Sequence, residues 1–303
     1  MKVGVQLPEV EYVARWPELR DMVRTAEEIG LDSIWVGDHL LYRDDGLPPR
    51  GPWEAWSTLA AIAAITERVE VGPLVAATSF HNPAMLAKKA ATLDEISGGR
   101  LVLSLGAGWN EAEYRAFGFP FDHRVSRFEE AFTIVRTLLR DGRCDFRGTY
   151  YQLHDCELLP RGPRHAHGEG PPLMVGSMGE RMLSITLPHV QAWNAWFTWF
   201  DNSVDGYRPL RAAVDAACRA VGREPAEVER TLALFVAFPG ARGRSLGDLT
   251  KPEVPPIPGD PAALAAALRA FSAEGVGHVQ LVLDPITVET IAALAPALAL
   301  FAA

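Results

Sequence analysis

The chain has 303 residues, 48% of them hydrophobic and 22% charged, and a formal net charge of −9. That supplies enough apolar material for one large core, and the acidic balance with scattered Lys and Arg excludes an extended nucleic-acid surface. No apolar run reaches the roughly eighteen residues a membrane span needs, although the Ala-rich end at 291–303 comes nearest. The first residues run into a strand pattern with no export signal, and Cys144, Cys156 and Cys218 form neither a CxxC pair nor an even-numbered frame. Reduced thiols, a cytoplasmic setting and small-molecule partners, with no membrane and no nucleic acid, are therefore expected.

Residues 2–7 alternate weakly around Val and Leu and predict a first strand, and Trp16-Pro17 opens a helix that Gly30 closes. Residues 31–37 (LDSIWVG) predict a second strand ending at Asp38-His39. The loop 43–53, rich in Pro and Gly, is long enough to fold over a site. A helix at 55–66, a third strand at 69–77, a helix at 84–96 and a fourth strand at 101–105 follow, the last running into Gly106-Ala107-Gly108-Trp109. Ser97-Gly98-Gly99 has the composition of a left-handed helix end. Two near-continuous apolar strands around one amphipathic helix define a parallel βαβ unit buried on both faces.

Residues 111–123 read as a polar connection, and 127–140 as a helix with Phe128, Ala131, Phe132, Val135, Leu138 and Leu139 on one stripe. Aromatic and β-prone residues around Arg147-Gly148 predict a hairpin at 144–158, followed by a surface loop at 160–172. Strands at 173–176, 191–196, 231–237 and 278–283 then alternate with helices at 179–187, 207–221, 261–272 and 288–300, with a second insertion at 240–258. Eight strands each followed by a helix, with no repeat and no second composition class, predict an α/β fold: a (β/α)8 TIM barrel as a single domain over 1–303, with insertions near 141–172 and 239–259. A doubly wound sheet fits less well, because no strand is followed by GxGxxG and an acidic residue about twenty positions on.

In such barrels the chemistry lies at the carboxyl ends of the strands, and unusual residues collect there: Asp38-His39, Thr78-Ser79, Gly106 to Trp109, Gly176-Ser177-Met178-Gly179, and Trp193-Asn194 with Trp196. His39, beside a carboxylate and facing a loop that can exclude water, can donate to a substrate oxygen or hold charge, while Asp38 orients it or bonds nearby backbone. Gly106 and Gly108 allow close approach to a flat ring. Gly176 to Gly179 offers backbone N–H groups at a helix start, suited to a phosphate, with Arg181 adding charge. Trp109 and Trp196 are expected near the pocket, and Trp35, Trp53, Trp56, Trp193 and Trp199 in the core. His165-Ala166-His167 lacks a third ligand at suitable spacing, so no metal centre is expected. No GxSxG elbow, HExxH or P-loop occurs.

Residues 71–118, VGPLVAATSFHNPAMLAKKAATLDEISGGRLVLSLGAGWNEAEYRAFG, closely resemble the signature region of the luciferase-like monooxygenase superfamily of flavin and deazaflavin enzymes. The likeness extends upstream to IWVGDHL and downstream to PLMVGSMGERML, covering roughly two thirds of the chain in matched order. It implies a non-prolyl cis peptide near Leu74-Val75 that bulges behind the middle of the cofactor ring, with Ala76, Gly106, Ala107, Gly108 and Trp109 around it and the cofactor phosphate at Gly176, Ser177, Met178 and Gly179. Asp38-His39-Leu40 resembles the deazaflavin-dependent branch, whose histidine lies by the reactive ring; the flavin branch more often carries Glu-His-His. The resemblance thus implies an oxidoreductase moving hydride between coenzyme F420 and a small organic substrate, with His39 and Asp38 catalytic, in a homodimer. Two alternatives stay open, an FMN-dependent monooxygenase using oxygen and a non-catalytic flavin-binding barrel.

Overall fold

Strands that are apolar on both faces need helices outside and one another inside, and a closed parallel barrel provides both. That arrangement is seen in a computed structural model of the chain, which describes residues 1–43, 46–164, 170–242 and 254–303. The main sheet contains β1 (Lys2–Gln6), β2 (Ser33–Val36), β3 (Glu70–Pro73), β4 (Ala76–Ala77), β5 (Leu103–Gly106), β8 (Leu173–Gly176), β9 (Ala192–Ala195), β10 (Glu229–Ala237), β11 (Ile257–Pro258) and β12 (Val276–Asp284), with β6 (Arg143–Arg147) and β7 (Gln152–Glu157) forming a separate hairpin. Its order is β3-β2-β1-β12-β10-β9-β8-β5-β4, every pairing is parallel, and β11 lies beside β10. β3 and β4 are halves of one stave parted by the cis peptide Leu74-Val75; β3 pairs with β2 and β4 with β5, so the ten strands, less β11 and with these two counted as one, close into eight staves. A parallel bridge between Val71 and Leu101 seals the lower part of that seam.

Around the barrel run α1 (Trp16–Glu28), α2 (Ala55–Ile65), α3 (Pro83–Ser97), α4 (Glu111–Phe117), α5 (Arg124–Asp141), α6 (Glu180–Thr186), α7 (Val204–Ala220), α8 (Pro261–Ala273), α9 (Val288–Ala292) and α10 (Ala295–Ala302). Their ends follow local chemistry. Asn82 accepts the amides of Ala84 and Met85 at the start of α3, and Gly98, at φ 64°, closes it in the left-handed conformation that glycine tolerates. No helix among the described residues is long and apolar enough to cross a membrane.

The structure departs from the sequence reading in two places that matter. The expected polar connection at 111–123 contains α4, a helix too short to show a stripe. The last helix is two, because Pro296 sits in the first turn of α10, where its missing N–H costs nothing, and ends what precedes it. The first insertion is the hairpin expected; of the second, 243–253 lie outside the described residues, and β11 is what is seen of it.

The barrel interior carries buried polar residues beneath the site. Asn194 Nδ2 donates to Thr231 Oγ1 and to Gln280 Oε1, both at 2.8 Å. Trp35 Nε1 donates to Ser33 Oγ at 2.7 Å, which leaves the Ser33 hydroxyl proton for His278 Nε2, also 2.7 Å away. His278 is accordingly the neutral acceptor: burial, with Lys2 and the amino terminus nearby, pushes its pKa down to about 3.

At the opposite end of the barrel Arg100 closes the base. It donates to the carbonyls of Ala63, Thr66, Val69 and Ser97 and to the Thr66 hydroxyl, at 2.7–2.9 Å, collecting acceptors left over at the end of α2 and the start of β3. Arg100→Met strands these acceptors and is expected to cost about 2–4 kcal/mol in urea unfolding. Ligand binding at the far end should not change, and an unmoved urea midpoint would show the carbonyls to be satisfied by solvent.

Candidate active site

The carboxyl ends of the strands open on a cavity of about 430 Å³, within the roughly 300–1,000 Å³ usual for small-molecule sites. Gln6 and Asn194 line its depth, and Glu9, Asp38, His39 and Tyr42 form one side. Leu74, Val75 and Ala77 come from the broken stave, and Gly106 to Trp109 and Gly176 to Met178 from the ends of β5 and β8. Glu113, Met182, Trp196, Thr198 and Trp199 complete the lining.

His39 is held by a residue that sequence reasoning did not single out. Its Nδ1 lies 2.9 Å from Oε1 of Glu113, on α4, while Glu113 Oε2 accepts the amides of Leu40 at 2.8 Å and Leu41 at 3.3 Å. Glu113 is 1% exposed, and a carboxylate so placed must be paired to stay charged. With Nδ1–H donated to it, His39 Nε2 has no protein partner among the described residues. Tyr42 and Trp109 flank the imidazole, with ring centroids 4.9 and 5.6 Å away. Burial alone lowers the His39 pKa, but the hydrogen bond to Glu113 and the charges of Glu9, Glu113 and Asp38 outweigh it, and the net direction is upward.

Asp38 lines the cavity without touching the His39 ring. Its Oδ2 accepts the amide of Ala77 at 3.0 Å and lies 3.2 Å from His81 Nε2, which Trp56 Nε1 also approaches at 3.2 Å. Of the two roles foreseen for Asp38 it takes the backbone one, tying β2 to the stave beyond the cis peptide; the carboxylate that orients His39 is Glu113.

The glycines are used differently from the expectation of simple ring access. A Cβ on Gly106 would stand 2.7 Å from Val75 Cγ2 and one on Gly176 3.1 Å from Val75 Cγ1, so both make room first for Val75. Gly108 has φ +75°, and a Cβ there would fall 1.9 Å from the Tyr114 hydroxyl, which itself donates to Ala107 O at 2.7 Å. Ser177 and Met178 line the cavity, and Trp193 Nε1 fixes their loop by donating to Ser177 O at 2.7 Å. The amides of Ser177, Met178 and Gly179 find no protein acceptor among the described residues.

Two expected site residues fall outside the cavity. Ala76 packs in the hydrophobic core shared by the strands and the outer helices, and Gly179 is exposed as the residue preceding α6. Arg181 is drawn away from the loop: its Nη2 reaches Glu129 at 2.8 Å and Ser126 Oγ at 3.1 Å on α5. Trp109 and Trp196 line the cavity, as does Trp199, which the sequence placed in the core, and Trp53 is 52% exposed at the surface. His165-Ala166-His167 lies outside the described residues. Glu113 did leave one signal. Asn110 followed three residues later by an acid has the spacing of a capping box, but here Asn110 Nδ2 donates to Leu41 O at 2.9 Å and Glu113 turns to His39.

The closed (β/α)8 barrel thus carries, at one mouth, a carboxylate-held histidine after its second strand and a non-prolyl cis peptide in the cavity wall of its third, the makings of a small-molecule site. The chain belongs to the luciferase-like monooxygenase family, whose sequence profile matches residues 1–239. A relative from Amycolatopsis mediterranei, an F420-dependent glucose-6-phosphate dehydrogenase, is 35% identical over 167 residues, 53% of this chain and 48% of the relative. The pyrimidine monooxygenase RutA of Cronobacter sakazakii is 32% identical over 177 residues, 56% of this chain and 50% of the relative. The chain thus spans about half the length of these curated relatives. A solved F420-dependent secondary alcohol dehydrogenase, 19% identical, shares the fold with a TM-score of 0.80 over 99% of this chain and 98% of its own.

The Glu113 contact yields a pH prediction. Because the folded pKa of His39 is raised, its stabilising contribution is complete below the ordinary histidine value of about 6.5 and is lost as the pH rises through the folded value. Glu113→Gln keeps the shape and removes the carboxylate, so the His39 titration midpoint, followed by NMR, should fall. A midpoint that stays in place would mean that Glu113 does not set the state of the imidazole.

Proposed function

We propose that this protein is an oxidoreductase that moves a hydride between coenzyme F420 and a small organic substrate. The observation that carries the reading is His39, held through Nδ1 by Glu113 with Nε2 turned free beside the cavity. The relative named as an F420-dependent dehydrogenase supports it, as does Asp38-His39-Leu40 standing where the flavin branch more often has Glu-His-His.

The residues present fit such a cofactor. Leu74, Val75 and Trp196 give the cavity apolar surface for a flat ring, and the unbonded amides of Ser177, Met178 and Gly179 are donors without acceptors, suited to a phosphate. When bound, F420 supplies a ring carbon that accepts or releases hydride and does not readily activate oxygen. As the substrate carbon loses or gains hydride, the oxygen it carries loses or gains a proton, and His39 Nε2 is the group placed to take or return it. Glu113 keeps the imidazole in one tautomer and stabilises its charged form. Trp109 stands on the solvent side, and the polar interior below holds Asn194 in a fixed orientation.

The second reading, an FMN-dependent monooxygenase, is favoured by the pyrimidine monooxygenase relative. A homodimer accompanies the proposal, carried by the family resemblance, and a cytoplasmic setting, carried by the cysteine pattern.

Titration of the purified protein with F420 and FMN side by side tests the cofactor. F420 should bind much more tightly; micromolar FMN binding with no detectable F420 binding would sink the proposal. With a turnover substrate in hand, His39→Ala should lower turnover by about 10²- to 10⁴-fold while cofactor affinity changes far less. A proportionate loss of both would make His39 a cofactor-holding residue. Replacing Gly176 and Ser177 by Asp places negative charge beside the free amides and should weaken cofactor binding; unchanged affinity would remove this loop from the site.

A further inference from the structure

The hairpin that interrupts the barrel after α5 sets two cysteines directly against each other. In the antiparallel β6–β7 register Cys144 faces Cys156, and residues so paired project to the same side of the ribbon. Both lie on its inward face, Cys144 buried in the core cluster and Cys156 half-buried against it. Directly opposed antiparallel residues have Cα atoms about 4.5–5.5 Å apart, inside the roughly 4.4–6.8 Å that disulfides occupy. Their Cβ atoms, about 4.5–5.5 Å apart in such pairs, need to close by about 1 Å to reach disulfide geometry. The backbone beside them supplies slack: the register shifts between Cys144 and Phe146, and Asp155, next to Cys156, has φ 48°.

We propose that Cys144 and Cys156 form a cross-strand dithiol that is reversibly oxidised to a disulfide within the folded chain. The oxidant is a low-molecular-weight disulfide. Cys156, the more exposed of the two, attacks one of its sulfurs as thiolate, breaking the small S–S bond and releasing one small thiol. Cys144 then attacks Cys156 in the mixed disulfide, forming the protein S–S bond and releasing the second small thiol. Two protein thiols are oxidised, one small disulfide is reduced to two thiols, and the protein's thiol protons leave on them. Burial, with Cys156 and the carboxylates of Asp145 and Asp141 nearby, raises the Cys144 pKa and lowers its thiolate fraction, so Cys144 attacks second, where its partner is already held beside it.

The bond would staple the root of a hairpin whose tip is already fastened. Glu130 of α5 accepts the amides of Thr149, Tyr150 and Tyr151 at 2.7–3.0 Å, and Arg127 stacks over the Tyr150 ring with its guanidinium carbon 4.3 Å from the centroid. Cys218 takes no part, being fully buried on α7.

The test equilibrates the full chain, folded and reduced, in oxidised and reduced glutathione at graded ratios. Free thiols are then blocked and peptides mapped without reduction. The expected result is one internal link between Cys144 and Cys156 in monomeric protein, reversed by reduced glutathione, with Cys218 blocked only after unfolding. Cys156→Ser should abolish the link and leave Cys144 a thiol. Separate glutathione adducts on Cys144 and Cys156, linkage between molecules, or thiols that persist at the most oxidising ratio would each overturn the proposal. Because the wild-type map decides the matter, it stands or falls even if the variant folds poorly.

Discussion

A carboxylate removed from water has to be compensated in full, and Glu113 shows how far that requirement reaches. Its two oxygens take the His39 ring and the amides of Leu40 and Leu41, so one short helix is bound to the loop after β2. The helix start is tied the same way, through Asn110 to Leu41 O. Had Glu113 stayed in solvent, that loop would lose its anchor and the imidazole its direction. The cost of burying one charge thus sets where a loop crosses the barrel mouth and which ring nitrogen meets the cavity.

The seam at the third stave is a second place where packing and site share the same atoms. Asp38 leaves β2 and receives the Ala77 amide from β4, joining the two sides of the break at Leu74-Val75. Val75 projects between Gly106 and Gly176, whose missing side chains give it space. The glycines of two other strand ends are therefore part of the fit around this bond, and the cavity wall is a joint product of β4, β5 and β8.

Most of the barrel was legible because its strands are short apolar runs and its helices carry explicit ends, such as Asn82 and Gly98 around α3. The family likeness added the cis peptide, which no local pattern would show. What escaped depends on partners distant in sequence. Glu113 meets His39 across 74 residues, and its helix has too few turns to display a period. The family likeness puts Ala76 at the cavity with its neighbours around the cis peptide, whereas the side chain packs in the hydrophobic core, on the other face of the strand from Leu74 and Ala77. Arg181 had the right charge beside the right loop, but Glu129 on the neighbouring helix claims it. Tryptophans were sorted by what is usual for the residue, and Trp53 and Trp199 follow their loops instead.

The neutral His278 under the site gives the molecule an acid limit of its own. Its folded pKa lies near 3, whereas in an unfolded chain it would take a proton at about 6.5. Above that value it has no influence on the folding balance. As the pH falls toward 3 the unfolded chain binds a proton that the barrel refuses, and stability drains away. His39 is shifted the other way, so it is charged before this drain begins. The interval from the raised His39 value down to about 6.5 is then where a protonated mouth sits over an undisturbed interior. Acidification reaches the two ends of one barrel in sequence, the working end first.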